Sequence, residues 1–266
     1  MTGLPKEAIG AYLLIYILIF IFGSVIGSFL NVVIYRLPRK ISFVKGRSRC
    51  PNCDTQLKAY DMLPVLSYCI LGGKCRSCKT KISGRYPLIE GLTGLLAVLS
   101  VFAHGFTLEA AAVFVLIAAL LAVAFIDLDT MEIPNGLIIF LFIPALVLLF
   151  ATPATPILAH ICGFFAVALP LFALALIIPD CFGGGDIKLM AVCGLALAWQ
   201  NILLAMFIAL LFGGAFAVYL LAKAKADRKS HFAFGPFLAI GIITAALIGP
   251  QIISLYLSLI FQEKLL

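Results

Sequence analysis

Long apolar runs decide what this chain can fold into. They fall at about 11–34, 88–103, 109–126, 135–151, 157–178, 187–200, 201–222 and 234–260. A helix that crosses a bilayer needs roughly 20 mostly apolar residues, because hydrocarbon leaves exposed backbone groups unsatisfied. The runs therefore predict an all-α, polytopic membrane helix bundle of about eight transmembrane helices. Composition agrees: 64% of residues are hydrophobic, 12% are charged and the mean hydropathy is +1.17. Soluble chains carry about a quarter charged residues, so a soluble enzyme domain is excluded. Two boundaries stay open at this level. Trp199-Gln200-Asn201 is a weak separator, so 187–222 reads as two short spans or one long one. Gly249-Pro250 interrupts the last run, which then reads as a span followed by an interfacial tail. The first run exceeds a signal-peptide core in length and reads as a retained span.

The net charge is +7, and its distribution says more than its sum. Twelve of the nineteen Lys and Arg fall in 36–86, and Lys223, Lys225, Arg228 and Lys229 form a second cluster. Basic loops stay on the cytoplasmic side. With 36–86 inside, counting spans places 127–134, 179–186 and 223–233 inside as well. The outer loops 104–108 and 152–156 carry no Lys or Arg. A basic stretch can also mark nucleic-acid contact or a solvated face. Beside so many spans it reads as topology, so the expected partner is a lipid bilayer and not nucleic acid.

The compositional break defines three regions: a first transmembrane helix (1–35), a cytoplasmic insert (36–86) and a membrane bundle (87–266). The insert holds "CPNC" and "CRSC", that is Cys50, Cys53, Cys75 and Cys78, with 54–74 between the pairs. Two C-x-x-C turns at this spacing suit a tetrahedral, structural Zn²⁺ site with no open position. Disulfides or unrelated thiols are the alternatives, and a cytoplasmic loop disfavours the former. A metal would stabilise a segment too small for a good core. Cys69 is a spare thiol, and Cys162, Cys181 and Cys193 pack as small apolar residues in or near spans.

Ionisable groups beside spans are functional candidates. "DLDTMEIPN" (127–135) supplies Asp127, Asp129 and Glu132, and "PDCFGGGDIKL" (179–189) supplies Asp180 and Asp186. Asp127 ends the third span and Asp186 opens the sixth, with two spans between, so both belong at the same membrane face. Paired carboxylates share a proton, so one can serve as base and the other as acid. Such a pair activates water and polarises a carbonyl, which is peptide hydrolysis without a covalent intermediate. The glycines before Asp186 let backbone approach a peptide closely. Alternatively each acid caps a helix, or pairs with Lys188 or a loop base. A proton- or ion-coupled transporter using Asp127 and Asp186 is a further reading, and an inactive zinc-organised scaffold another. No paired, broken halves of the transporter kind are visible.

The same residues carry a family resemblance. "GGGDIK" (183–188) resembles the GxGDxK signature of the prepilin peptidases, with Gly183, Gly185, Asp186 and Lys188 in its positions. "DLDTMEIPN" is similar to that family's first aspartate motif, which aligns Asp127 rather than Asp129 with the catalytic position. Positions two apart on a helix face nearly opposite sides. "GSFLNVVIYRLP" (27–38), the cysteine segment through Glu90 and "FAFGPFLAIG" (232–241) resemble further family blocks. The resemblance implies an aspartic membrane endopeptidase of the bacterial inner membrane. Its members cut the basic leader from type IV prepilins or type II secretion pseudopilins, after Gly, at the cytoplasmic face. It also implies N-methylation of the new terminus with S-adenosylmethionine. No motif derives that second activity; Asn31, Arg36 and Glu90 are its candidates, with a structural Arg36–Glu90 pairing or snorkelling of Arg36 as the alternative.

Overall fold

The computed structural model describes residues 6–42, 46, 48–50, 52–178, 181–223 and 232–262. Lys45, Arg47, Asp180, Lys225, Arg228 and Lys229 lie outside the described residues. The chain divides into two compact units, Met1–Phe102 and Ala103–Leu266.

The first unit contains α1 (Lys6–Arg36), a 3₁₀ turn (Ala59–Met62), α2 (Leu66–Ile70) and nearly all of α3 (Arg85–His104). Glycine lets α1 and α3 approach closely, as small residues do in membranes. A Cβ on Gly23 would fall 2.7 Å from the Ala97 Cβ, and one on Gly27 would fall 2.8 Å from the Glu90 Cα. Leu13, Leu14 and Phe22 of α1 are more than half exposed. An apolar helix surface of this kind suits lipid.

The second unit is built around α4 (Leu108–Thr130), in which Leu116, Ile117, Leu120 and Ile126 are fully buried. Thr107 caps its start by accepting from the Ala110 N–H. Met131, at φ 55°, ends it. Pro134 keeps Ile133 out of the α conformation, so the chain turns tightly into α5 (Asn135–Ala151). The next apolar run divides into α6 (Ile157–Ala166) and α7 (Ala168–Ile177), separated by Val167. Pro170 cannot donate to the Ala166 carbonyl, which accounts for the break.

α8 (Gly184–Ala222) spans 39 residues without an intervening loop. A straight helix of that length would extend about 58 Å, nearly twice the hydrocarbon thickness. It is not straight. Ala198, at φ 64° and ψ 170°, leaves helical geometry. The Phe234 ring lies 5.7 Å from the Phe182 ring, just before α8, and also abuts Gly213 in its second half. Both neighbours can meet one ring only if the chain reverses at Ala198. Gly241 against Ala205, and Gly249 against Asn201, continue an antiparallel pairing with α9 (Gly235–Gln262). Of the two readings of 187–222, one long segment or two short ones, the chain takes one continuous helical element folded back on itself, with the turn at Ala198, just before Trp199.

Polar side chains satisfy the carbonyls that this turn frees. The buried His160 Nδ1 donates to the Leu195 carbonyl at 2.8 Å, and Asn201 Nδ2 donates to the Leu197 carbonyl at 3.0 Å. α9 kinks at Ile248, just ahead of Pro250, and remains helical to Gln262. With α6–α7 and α8 each counted once, the described residues supply six helical segments long and apolar enough to cross a membrane, and α5 is a shorter apolar helix. The protein is a multi-pass membrane protein.

Candidate active site and metal centre

Asp127 sits in the last turn of α4 and is buried, whereas Asp129 is exposed. Asp186 occupies the first turn of α8 and is buried. The two carboxylates line one pocket of about 330 Å³, together with Ile133, Gly183, Gly185 and Lys188. The approach depends on Gly185: a Cβ there would fall 2.9 Å from the Ile133 Cβ. Without a side chain at 185, the start of α8 lies directly against the turn that follows Asp127.

Backbone amides hold both acids. Gly183 N–H donates to Asp186 Oδ2 at 3.2 Å, and Gly235 N–H donates to Asp127 Oδ2 at 2.8 Å. Among the described residues Oδ1 of each acid has no hydrogen-bond partner. One oxygen of each acid is thus fixed by a backbone amide, while both carboxylates line the pocket. The helix-capping contact named as the alternative for Asp186 is present beside its place in the pocket, since Gly183 is the residue that caps α8. Lys188 turns elsewhere: its Nζ donates to Asn135 Oδ1 at 3.1 Å.

In the first unit, the Sγ atoms of Cys50, Cys53, Cys75 and Cys78 all lie within 4.8 Å of one another. The two C-x-x-C turns share one geometry. Cys50 N–H donates to the Thr55 carbonyl and Cys75 N–H to the Thr80 carbonyl, at 3.0 and 2.9 Å. Asp54 and Lys79 follow the second cysteines in the left-handed conformation, at φ 52° and 60°. A tetrahedral site with Zn–S bonds of about 2.3 Å separates its sulfurs by about 3.8 Å. Cys50 Sγ and Cys78 Sγ stand 3.8 Å apart. The four thiols therefore fit a metal ion. The Thr80 hydroxyl, 3.3 Å from Cys78 Sγ, and then the Thr80 N–H pull that thiol down to about 5. Thr55 lowers Cys53 in the same way. Thiolates are the form that binds metal.

Of the remaining candidates, Asn31 Nδ2 donates to the Tyr86 carbonyl at 3.2 Å, and Arg36 donates to the Ser42 carbonyl at 3.0 Å. The buried Glu90 accepts from the Val65 N–H at 2.8 Å. Val65, at φ 59° and ψ −49°, is a β-branched residue in left-handed backbone that the structure must hold in place.

Two family models match: the bacterial peptidase A24 N-terminal domain over residues 21–104, and the type IV leader peptidase family over 114–218. Curated relatives extend the likeness to nearly the whole chain. A prepilin leader peptidase/N-methyltransferase of Bacillus subtilis is 35% identical, over 91% of this chain and 98% of the relative. A protein of the same name from Stutzerimonas stutzeri is 32% identical, over 95% and 98%. One from Aeromonas salmonicida is 33% identical, over 98% and 100%. The chain belongs to the type IV leader peptidase family. No solved structure matches it.

Within this member of the type IV leader peptidase family, the pocket gathers Asp127, Asp186, Gly183, Gly185 and Lys188. Sequence reasoning missed Gly235, although it lies in the quoted block 232–241. Its contribution is a backbone N–H, which any residue but proline owns. The available signal was Gly-Pro at a helix start. It also missed Asn135, the partner of Lys188.

Proposed function

We propose that this protein cleaves the basic leader from type IV prepilins or type II secretion pseudopilins, after Gly, and N-methylates the new terminus. The observation that carries the first activity is the buried acid pair lining one pocket, each acid held through one oxygen. One acid, as carboxylate, takes a proton from water while the water oxygen adds to the scissile carbonyl carbon, whose oxygen the other, protonated acid hydrogen-bonds. The tetrahedral intermediate collapses as the C–N bond breaks and the proton passes to the leaving amine, leaving a new carboxyl and a new amino terminus. Gly185 lets the start of α8 close on Ile133, and Gly184, with open space beside it, leaves room for the peptide backbone. The protein is a multi-pass protein of the bacterial inner membrane, with this pocket toward the cytoplasm.

The surroundings suit such a substrate. A second cavity, of about 300 Å³ and lined by Ile138, Ile139, Phe142, Phe164 and Val192, meets the first at Asn135 and Lys188. It accepts the apolar segment that follows the scissile bond. The exposed Glu132 at the first pocket suits a basic leader. A transporter using the same acids gains no support from the family or the fold.

Zinc is the ion we assign to Cys50, Cys53, Cys75 and Cys78, in a structural role. For methylation, S-adenosylmethionine would supply the methyl group, and Asn31, Arg36 and Glu90 are the candidate residues. The Glu90 carboxylate suits the cationic groups of that donor, while its bond to Val65 holds the strained turn.

The test is cleavage of a purified prepilin by the full-length protein in detergent. Asp127→Asn and Asp186→Asn each lower the rate at least about 100-fold, the scale of acid–base catalysis. Near wild-type cleavage by either variant overturns the paired-acid mechanism. Mass spectrometry with labelled methyl donor decides the second activity, and an unmethylated product at saturating donor removes it.

A further inference from the structure

Two phenylalanine–glycine pairs flank the acids. Phe182-Gly183 leads into α8, and Phe234-Gly235 leads into α9. In each pair the glycine N–H donates to one carboxylate, Gly183 to Asp186 and Gly235 to Asp127. In each pair the ring comes one residue earlier, and the rings pack edge to face, 5.7 Å between centroids at 61°. Edge-to-face contacts at this distance are attractive and directional. Two segments far apart in sequence, each aiming one acid, therefore touch through their rings.

The fold reserves space for this contact. A Cβ on Gly213 would fall 2.8 Å from Phe234 Cε2 and 3.3 Å from Cδ2, so the ring is seated where α8 carries no side chain. A Cβ on Gly235 would fall 2.7 Å from Asp127 Oδ2. Gly183 caps α8, its carbonyl accepting from the Asp186 and Ile187 amides, whereas Cys181 and Phe182 before it belong to no helix. The ring contact holds Phe182, the residue before that cap, against the segment that leads into α9.

We infer that Phe182 and Phe234 form a clasp that sets the spacing of the two carboxylates, with Gly213 and Gly235 as its seat and its link to Asp127. This rests on the peptidase reading above. The four are positioning residues. They act through the glycine amides, and a misplacement of about 1 Å can lower a rate about 100-fold.

Kinetics of prepilin cleavage by the full-length protein in detergent test the clasp. Phe182→Ala and Phe234→Ala should each lower kcat about tenfold or more and leave KM within about twofold. The double variant should be no slower than the slower single, because either change opens the same contact. Phe182→Tyr should restore most of the rate. Gly213→Val, remote from the substrate, should reproduce the loss in kcat. Independent, multiplying losses, or a rise in KM at constant kcat, would overturn the clasp, the latter making the rings a substrate surface. Hydrogen exchange at the Gly183 and Gly235 amides decides the question without turnover. Removing either ring should speed exchange at both glycines, and an effect confined to its own neighbour would refute the coupling. A wild-type protein that cleaves no prepilin would defeat the peptidase reading alone, with exchange still deciding the clasp.

Discussion

Asp127 and Asp129 are neighbours in sequence and meet different surroundings: the first faces the pocket, the second is exposed. Successive helical positions turn by about 100°, so this difference was legible in the sequence. Asp129→Asn should accordingly cleave prepilin within a few-fold of wild type, and loss comparable to Asp127→Asn would reverse the assignment. Thr80 offers a pH test. Its hydroxyl and N–H, ahead of Asn52 and Cys53, lower the Cys78 thiol to about 5, so the metal-free thiolate outlasts an ordinary one as pH falls. Protons displace metal from thiolates. Thr80→Val raises the thiol toward its usual value, so metal release, followed with a chromogenic chelator during acid titration, should begin at a higher pH than in wild type. Release at an unchanged pH would show that the Thr80 contacts do not tune the site. What could not be read at this scale is the N–H of Gly235, because backbone donors carry no residue signature.

Among the elements, α8 shows where local pattern ran out. Hydropathy ran continuously through 187–222, and the polar trio at 199–201 only hinted at a turn. The reversal is made by Ala198 and stabilised by His160, which comes from α6. His160→Ala leaves the Leu195 carbonyl unpaired in a buried place and should cost about 1–3 kcal/mol. Thermal unfolding in detergent would show it as a lowered midpoint, and an unchanged midpoint would mean that the turn is satisfied otherwise. The α6–α8 contact is equally tight. Gly163 and Gly194 pack backbone against backbone, and a Cβ on either would clash with the carbonyl of the other. Gly194→Val should overpack this seam by about 1–3 kcal/mol, measured in the same way. A wild-type midpoint would refute the close packing.

At the scale of the whole molecule, the two units rest on different physics. Ala103–Leu266 buries a helix, α4, inside other apolar helices. The segment between α1 and α3 has short elements and few buried side chains, and four thiols stand where a core would be. Metal analysis of the purified protein should give about one zinc per chain, lost in Cys50→Ser. Chelation should open 37–84 to limited proteolysis, because binding energy at such sites is folding energy. Cleavage elsewhere first, or full protection without metal, would refute that dependence.

Sequence alone determined the all-α membrane class, the paired C-x-x-C turns, and Asp127 and Asp186 as the acids to watch. Each of these follows from a short-range property: the length of an apolar run, the spacing of two thiols, the parity of spans between two carboxylates. Tertiary structure alone decided what holds the acids and how close they come. The Gly235 amide reaches Asp127 from the far end of the chain, and Gly185 at the start of α8 meets Ile133 in the turn between α4 and α5. The Phe182 and Phe234 rings meet only because α8 reverses at Ala198. Contacts between distant segments depend on where the packed helices bring them, and no local pattern of residues encodes that place.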